Sequence, residues 1–192
     1  MAAVLGMAAA LIAGGKFNNF MNFKFRKGFL IISGLLVQYA AQIATGKYSH
    51  DIINNALLIN VLIYCLLFAG FWINRKYLGV DAIALGTGLN SLVILLNNGR
   101  MPVSYEILSK NNLRQAISMV NEGLDFKHMF IDENIKLVFL ADIIEPPGIL
   151  GFFMRVVSIG DLIIALGIGI LVFEMFAGGS VFNLVFKRPI AR

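Results

Sequence analysis

Charge is what this sequence has least of. Asp, Glu, Lys and Arg make up 14% of its 192 residues, against about 25% in a soluble domain. The few charges are clustered between apolar runs, so the solvated faces of a water-soluble fold are missing. Cysteine is nearly absent too. Cys65 stands alone inside an apolar run, which excludes an internal disulfide and a cysteine-based metal cluster and leaves that thiol as a packing residue. Histidine is limited to His50 and His128, both outside the apolar runs and in neither an HExxH nor a His-x-His spacing. No metal, haem or other cofactor is expected. Also missing are a Gly-rich phosphate loop ending in Lys-Ser/Thr and a Gly-x-Ser-x-Gly elbow, so no standard catalytic motif is present.

What the chain does have is apolar surface: 58% hydrophobic residues, sixteen Phe, eight Met and nineteen Gly, with a mean hydropathy of +0.79. Glycine is frequent in membrane helices, where it permits close packing. A bilayer-spanning helix needs about 20 mainly apolar residues, and five segments approach that: 1–15, 28–45, 56–73, 80–96 and 159–177. The first has no positive region ahead of it. Its basic cluster (Lys16, Lys24, Arg26, Lys27) comes afterwards, the reverse of a cleaved signal, and the segment is expected to stay as an anchor. The net charge of +5 resides in residues that flank the spans, which is membrane topology rather than a nucleic-acid footprint. Lys16, Lys24, Arg26, Lys27, Arg75, Lys76, Lys187, Arg188 and Arg192 fall in connections without a single acid. Placing those connections in the cytosol puts the N-terminus outside and the C-terminal tail inside. The expected fold is a single all-α membrane domain over 1–192, with five transmembrane helices.

The connection 97–158 is too long for a turn. Leu113, Ile117, Val120 and Leu124 recur at helical spacing with Lys110, Arg114, Gln115 and Asn121 between them, which predicts an amphipathic helix on the outer surface. Residues 136–144 (KLVFLADII) are apolar but too short to span. Pro146-Pro147 stops any helix, and 148–157 is a second short apolar piece. Both pieces suit broken, re-entrant or interfacial segments.

Polar residues near the outer ends of the spans form the candidate site. Asn90 and Asn97 are seven apart on one face of the fourth span, and Asn98, Gly99, Arg100, Met101 and Pro102 follow. Gly99 and Pro102 suit a helix stop, while two amides beside a guanidinium suit an anionic head group. Ser158 and Asp161 open the fifth span as a near-match to a capping box, yet an ionisable residue at membrane depth is also a functional candidate. Asp142, ahead of Pro146, is similar in kind. The expectation is one outward-facing cluster of Arg100, Asp142 and Asp161, with Asn90 and Asn97 as its floor. Gln38, Gln42 and Asn60 suit interhelical hydrogen bonds, or on a second reading a polar substrate path. Gly79 with Gly86, and Gly160 with Gly167, each make a stripe for close packing, and Glu174 is expected to reach the inner interface.

Several elements taken together resemble a family of small bacterial multi-pass membrane proteins known as domain of unknown function 5317. They are Gly14-Gly15-Lys16 with Arg26-Lys27-Gly28, Leu89-Asn90 with Val93-Ile94 and the run 98–104 (NGRMPVS), 140–147 (LADIIEPP), and 156–161 (VVSIGD). Ala141 stands where that family's pattern has glycine, and Asn98 leaves Gly99 as the one glycine of an expected pair. The resemblance implies the bacterial inner membrane and no established activity. Two functions of different class follow as expectations. One is a non-enzymatic membrane module that binds a lipid head group, an anionic one included, or a partner membrane protein on the outer side, and forms homo-oligomers on a possible further reading. The other is a membrane-embedded transferase or carrier for an anionic lipid-linked substrate.

Overall fold

The structure, a computed structural model, describes residues 1–146 and 156–181 (for residues 47–49, the backbone only). The expected second apolar piece, 148–157, falls outside the described residues save at its end, and the basic C-terminal tail lies outside them entirely. Eight α-helices are described: α1 (Ala2–Ile12), α2 (Phe17–Met21), α3 (Phe29–Asn54), α4 (Ala56–Asn74), α5 (Leu78–Leu96), α6 (Tyr105–Lys110), α7 (Arg114–Asn121) and α8 (Ile159–Ala177). Four are long and apolar enough to cross a membrane: α3, over Phe29–Gly46, with α4, α5 and α8. The fifth expected span, α1, is an 11-residue helix rising about 16 Å, roughly half of a bilayer's hydrocarbon thickness.

The long helices form a row in which α3 packs on α4, α4 on α5 and α5 on α8, with α1 on the far side of α8. Neighbours in the row from α3 to α8 run antiparallel. Gly70 faces Ile31, Gly34 faces Ile63 and Leu67, Gly99 meets Ala56 and Leu57, and Gly79 meets Leu171 while Gly160 meets Asn90. The α5–α8 seam is the tightest. Its two glycine stripes face each other: a Cβ on Gly86 would run into the backbone of Gly160, and one on Gly167 into Gly79 and Ile83. Where the surrounding solvent is hydrocarbon, no hydrophobic gain draws helices together, so close backbone approach supplies the contact. By contrast α1 runs parallel to α8. Gly6 abuts Gly169 and Gly15 lies by Phe176, so Ala2 stands level with the middle of α8 rather than beyond its far end.

At one end of the row gather Lys16, bonded to the end of α8, and Lys24, Arg26, Lys27, Arg75 and Lys76, ahead of α3 and between α4 and α5. Buried polar groups tie this basic end together. Asn74 accepts from the Arg26 N–H through Oδ1 and donates to the Arg26 carbonyl, at 2.9 and 2.8 Å. Glu174 does not reach an interface as expected. It is 1% exposed and accepts from the backbone N–H groups of Leu78, Gly79 and Val181 at 2.9–3.1 Å. The start of α5 lies against the end of α8, and its unpaired N–H groups hold the carboxylate there.

The opposite end carries a folded cap. Residues 46–54, expected as loop, continue α3 as helix, because no proline interrupts it and the chain turns at Asn55 alone. The amphipathic helix expected near 113–124 is α7, with its apolar positions broken off before Leu124, and the shorter α6 precedes it on a Ser104 cap. Unexpectedly, two short strands, β1 (Met101–Val103) and β2 (His128–Phe130), pair in parallel with Met101 opposite His128. Asp142 joins the other side of β1, its N–H donating to the Pro102 carbonyl at 2.9 Å and its carbonyl accepting from the Ser104 N–H at 3.1 Å. The expected broken segment 136–144 is thus a single 3-10 turn, Val138–Leu140, followed by extended chain threaded into the cap.

Candidate functional site

Three side-chain amides position the site by imitating peptide groups. Asn60, in the second turn of α4, donates to the Gly99 carbonyl at 2.8 Å and so ties the cap to the bundle. Gly99 itself has φ +84°, and a Cβ there would collide with the backbone of Ala56 and Leu57. Only glycine satisfies both demands. Gln42 donates to the Leu124 carbonyl at 3.1 Å and accepts from the Phe126 N–H at 3.2 Å. With the fully buried Phe126 it moors the segment that carries Asp125 and His128. Asn97 is bonded both ways to the backbone of Lys136 at 2.9 Å and is 5% exposed, so it is occupied in holding the connection.

Where α5 meets the start of α8, Asn90 bridges the capping box. Its Nδ2 donates to Asp161 Oδ1 at 2.8 Å and its Oδ1 accepts from the Ser158 hydroxyl at 2.8 Å. Asp161 and Ser158 complete the box with backbone bonds of 3.0 and 3.1 Å. Asp161 is therefore both a helix cap and one wall of a cavity of about 300 Å³. That cavity is lined by Gln38 of α3, Asn60 and Tyr64 of α4, Asn90 and Ile94 of α5, Asp161 of α8, and Gly99, Met101, Lys127, His128, Asp142 and Val156 of the cap. Every long helix of the row contributes to it.

A chain of three titratable groups runs along one side. Asp125 Oδ2 holds His128 Nδ1 at 2.8 Å, and His128 Nε2 lies 3.5 Å from Asp142 Oδ2. Burial works to lower the His128 pKa, but the two carboxylates overcome it and push it up to about 9. Burial would raise Asp125, yet the imidazole and the Lys127 and His128 N–H groups hold it below the usual carboxylate range. Asp142 moves the other way. Burial raises it, His128 only partly opposes the rise, and the charge of Asp161 adds to it. Asp142 is 6% exposed, and its second oxygen, Oδ1, is buried without a hydrogen-bond partner among the described residues. His128, Asp142 and Val156 also line a second groove of about 280 Å³, walled by Val103 and Leu108 and by Gln115, Ala116, Met119 and Val120 of α7. The His128–Asp142 pair stands between the two.

The candidate residues of the sequence separate here. Asn90, Asp142 and Asp161 come together around one cavity, with Gly99 and Met101 in its wall and Gly160 against Asn90. Arg100 takes no part. It is half-buried, makes no ion pair among the described residues, and the carboxylate that acts on it is Asp125, opposing the effect of burial. Asn97 braces Lys136 instead of lining the floor, and Asn98 is exposed at φ 55°. Pro102 and Pro146 are buried in the cap. The cationic member of the cluster is His128, which sequence reasoning set aside with the other outer histidine. Asp125 and His128, three residues apart, were the available signal, since an acid and an imidazole at that spacing pair readily. Tyr64 and Lys127 were missed as well. Among the described residues no group of three or more His, Cys, Asp or Glu is placed to hold a metal ion.

A family model described as "Family of unknown function (DUF5317)" matches residues 22–173. The chain belongs to this family. Every residue that lines the cavity lies within the stretch that carries the DUF5317 match, and α1 lies outside it. An "Uncharacterized protein" of Thermotoga maritima is 32% identical over 108 residues, which cover 56% of this chain and 58% of that relative. This DUF5317 chain therefore spans under two thirds of the relative's length. No solved structure matches it.

Proposed function

We propose that this protein is a non-enzymatic module of the bacterial inner membrane that holds a polar head group in the cavity between the outer ends of α3, α4, α5 and α8. The observation that carries this reading is Asp142 Oδ1, a buried carboxylate oxygen without a partner among the described residues, on a residue that lines a 300 Å³ cavity. A buried polar atom left unpaired costs about 1–3 kcal/mol. A ligand that donates a hydrogen bond removes that cost. The helices bring amides and a phenol to the same space, which suits a head group rich in donors and acceptors, while Asp142 and Asp161 disfavour a purely anionic one.

Gln38 lines the cavity and makes no side-chain hydrogen bond among the described residues, so Gln38→Trp fills the space without breaking a hydrogen bond. Native mass spectrometry of the detergent-released protein tests the reading. The wild type retains a lipid-sized adduct and Gln38→Trp loses it; equal retention by both removes the cavity as its seat.

The basic end belongs in the cytosol by the positive-inside rule, which puts the cap and cavity outside. With Cys65 replaced by Ala, Asn111→Cys reacts with an impermeant maleimide in intact cells and Lys24→Cys reacts only after permeabilisation. The reverse pattern inverts the orientation. The transferase or carrier reading draws on the Asp125–His128–Asp142 chain, a set of groups able to move a proton.

A further inference from the structure

We propose that the group docked in this cavity is a primary ammonium, held by Asp142 and Asp161. The inference rests on the head-group reading and names the chemistry of the ligand. Two carboxylates line one space, and Asp161 acts electrostatically against the ionised form of Asp142, so the space favours an added positive charge. Among the described residues no cation is bonded to Asp142 Oδ1. His128 is shared between Asp125, at 2.8 Å, and Asp142, at 3.5 Å, and Lys127 is exposed at the rim. Of the described charged groups lining the cavity, Asp142 and Asp161 thus face a His128 that Asp125 also holds and a Lys127 at the rim.

The two acids have different duties. Asp161 is fixed through both oxygens, to Asn90 and to the Ser158 N–H, and contributes field. Asp142 has one oxygen toward His128 and the other, Oδ1, without a partner among the described residues, on a side chain that is 9% exposed. It is the contact atom. An ammonium carries three N–H donors and no acceptor; Asp142 Oδ1 takes one, and Tyr64 and Gln38, both with acceptor oxygens, line the same space. A bare divalent metal fits less well, because the described residues gather no set of three acidic or imidazole ligands. A neutral hydroxyl would satisfy Oδ1 but would bring no charge to oppose the repulsion between Asp142 and Asp161.

The full chain in nanodiscs, exchanged against equal amounts of phosphatidylethanolamine and phosphatidylglycerol with identical acyl chains, tests this by native mass spectrometry. A charge-assisted hydrogen bond in a partly desolvated site corresponds to a preference of about tenfold or more. The expected result is such a preference for phosphatidylethanolamine in the wild type, falling to within about twofold in Asp142→Asn. Should that variant not fold, the wild-type ratio still decides. Retention of phosphatidylglycerol equal to or above phosphatidylethanolamine overturns the ammonium and leaves the head-group reading standing. A second arm adds free ethanolamine or ethylene glycol to lipid-stripped protein. Stabilisation by ethanolamine alone, with neither lipid retained, supports the ammonium and overturns the lipid head group as its source. Retention of neither lipid and equal response to the two soluble compounds overturns both.

Discussion

His128 has the most telling chemistry of any single residue here, because its charge is set by two carboxylates reaching it from different segments of the cap. Its folded pKa, near 9, lies above the ordinary 6.5. A raised pKa means that the stability it contributes is complete below about pH 6.5 and is lost as pH rises through about 9. Asp142, also raised, acts in the same direction but at lower pH, and Asp125, lowered, matters only toward acid. With allowance for solvent screening, stability is expected to fall by on the order of 1–2 kcal/mol from pH 6.5 to 9, read as the unfolding midpoint in mixed detergent and SDS. His128→Gln flattens that slope; an unchanged slope in the variant assigns it to another group. At this scale the sequence was partly legible. Asn90, Asp142 and Asp161 are acids and amides at the ends of apolar runs, and depth alone singles them out. Arg100 was singled out by the same logic, but whether a side chain turns into a cavity or away from it depends on the strand pairing of residues 101–103 and 128–130, which three-residue strands do not announce.

Helix α8 shows what periodicity conveys and where it stops. The seven-residue glycine spacings on α5 and α8 were readable, and the structure adds that the two stripes meet each other, Gly86 at Gly160 and Gly79 at Gly167. A side chain at Gly86, Gly160 or Gly167 has to displace backbone. Gly86→Leu, Gly160→Leu and Gly167→Leu are expected to destabilise by at least about 3 kcal/mol, the upper range of overpacking. Leu166, 63% exposed, should tolerate Ala with a change of under about 1 kcal/mol. Equal loss in all four variants, measured as the folded fraction after detergent extraction, contradicts the seam. The cap was less legible. The α7 periodicity stood out, but α3 continues through 46–54 because the pattern there is neither strongly apolar nor interrupted by proline. A tract of nine apolar residues, 136–144, reads the same whether it dips into lipid or threads behind a strand.

For the whole molecule, a four-helix row closed at one end by a small folded cap makes a vessel whose polar interior opens where helices and cap meet. The basic end is held by the buried ties of Glu174 and Asn74, and its cavity of about 340 Å³, beside Lys24, Lys76 and Tyr77, holds no buried unpaired side-chain atom among the described residues. The cap end concentrates the unpaired carboxylate oxygen, the shared imidazole and the uncommitted Gln38. The apolar character was legible in the composition, and the four helices long enough to cross a membrane were legible in the spacing of the apolar runs. The short reach of α1 did not, because an apolar pattern of 15 residues gives no sign of the depth at which its helix begins. The central claim is that a head group occupies the cap-end cavity, and site-mapped photocrosslinking tests it most directly. Full-length protein is placed in nanodiscs with a phospholipid bearing a diazirine on its head group, irradiated, digested and sequenced. Adducts should fall on the peptides that contain Gln38, Tyr64, Asn90 or Asp161 and should be lost in Gln38→Trp. Adducts confined to the basic end, or unchanged by Gln38→Trp, contradict it.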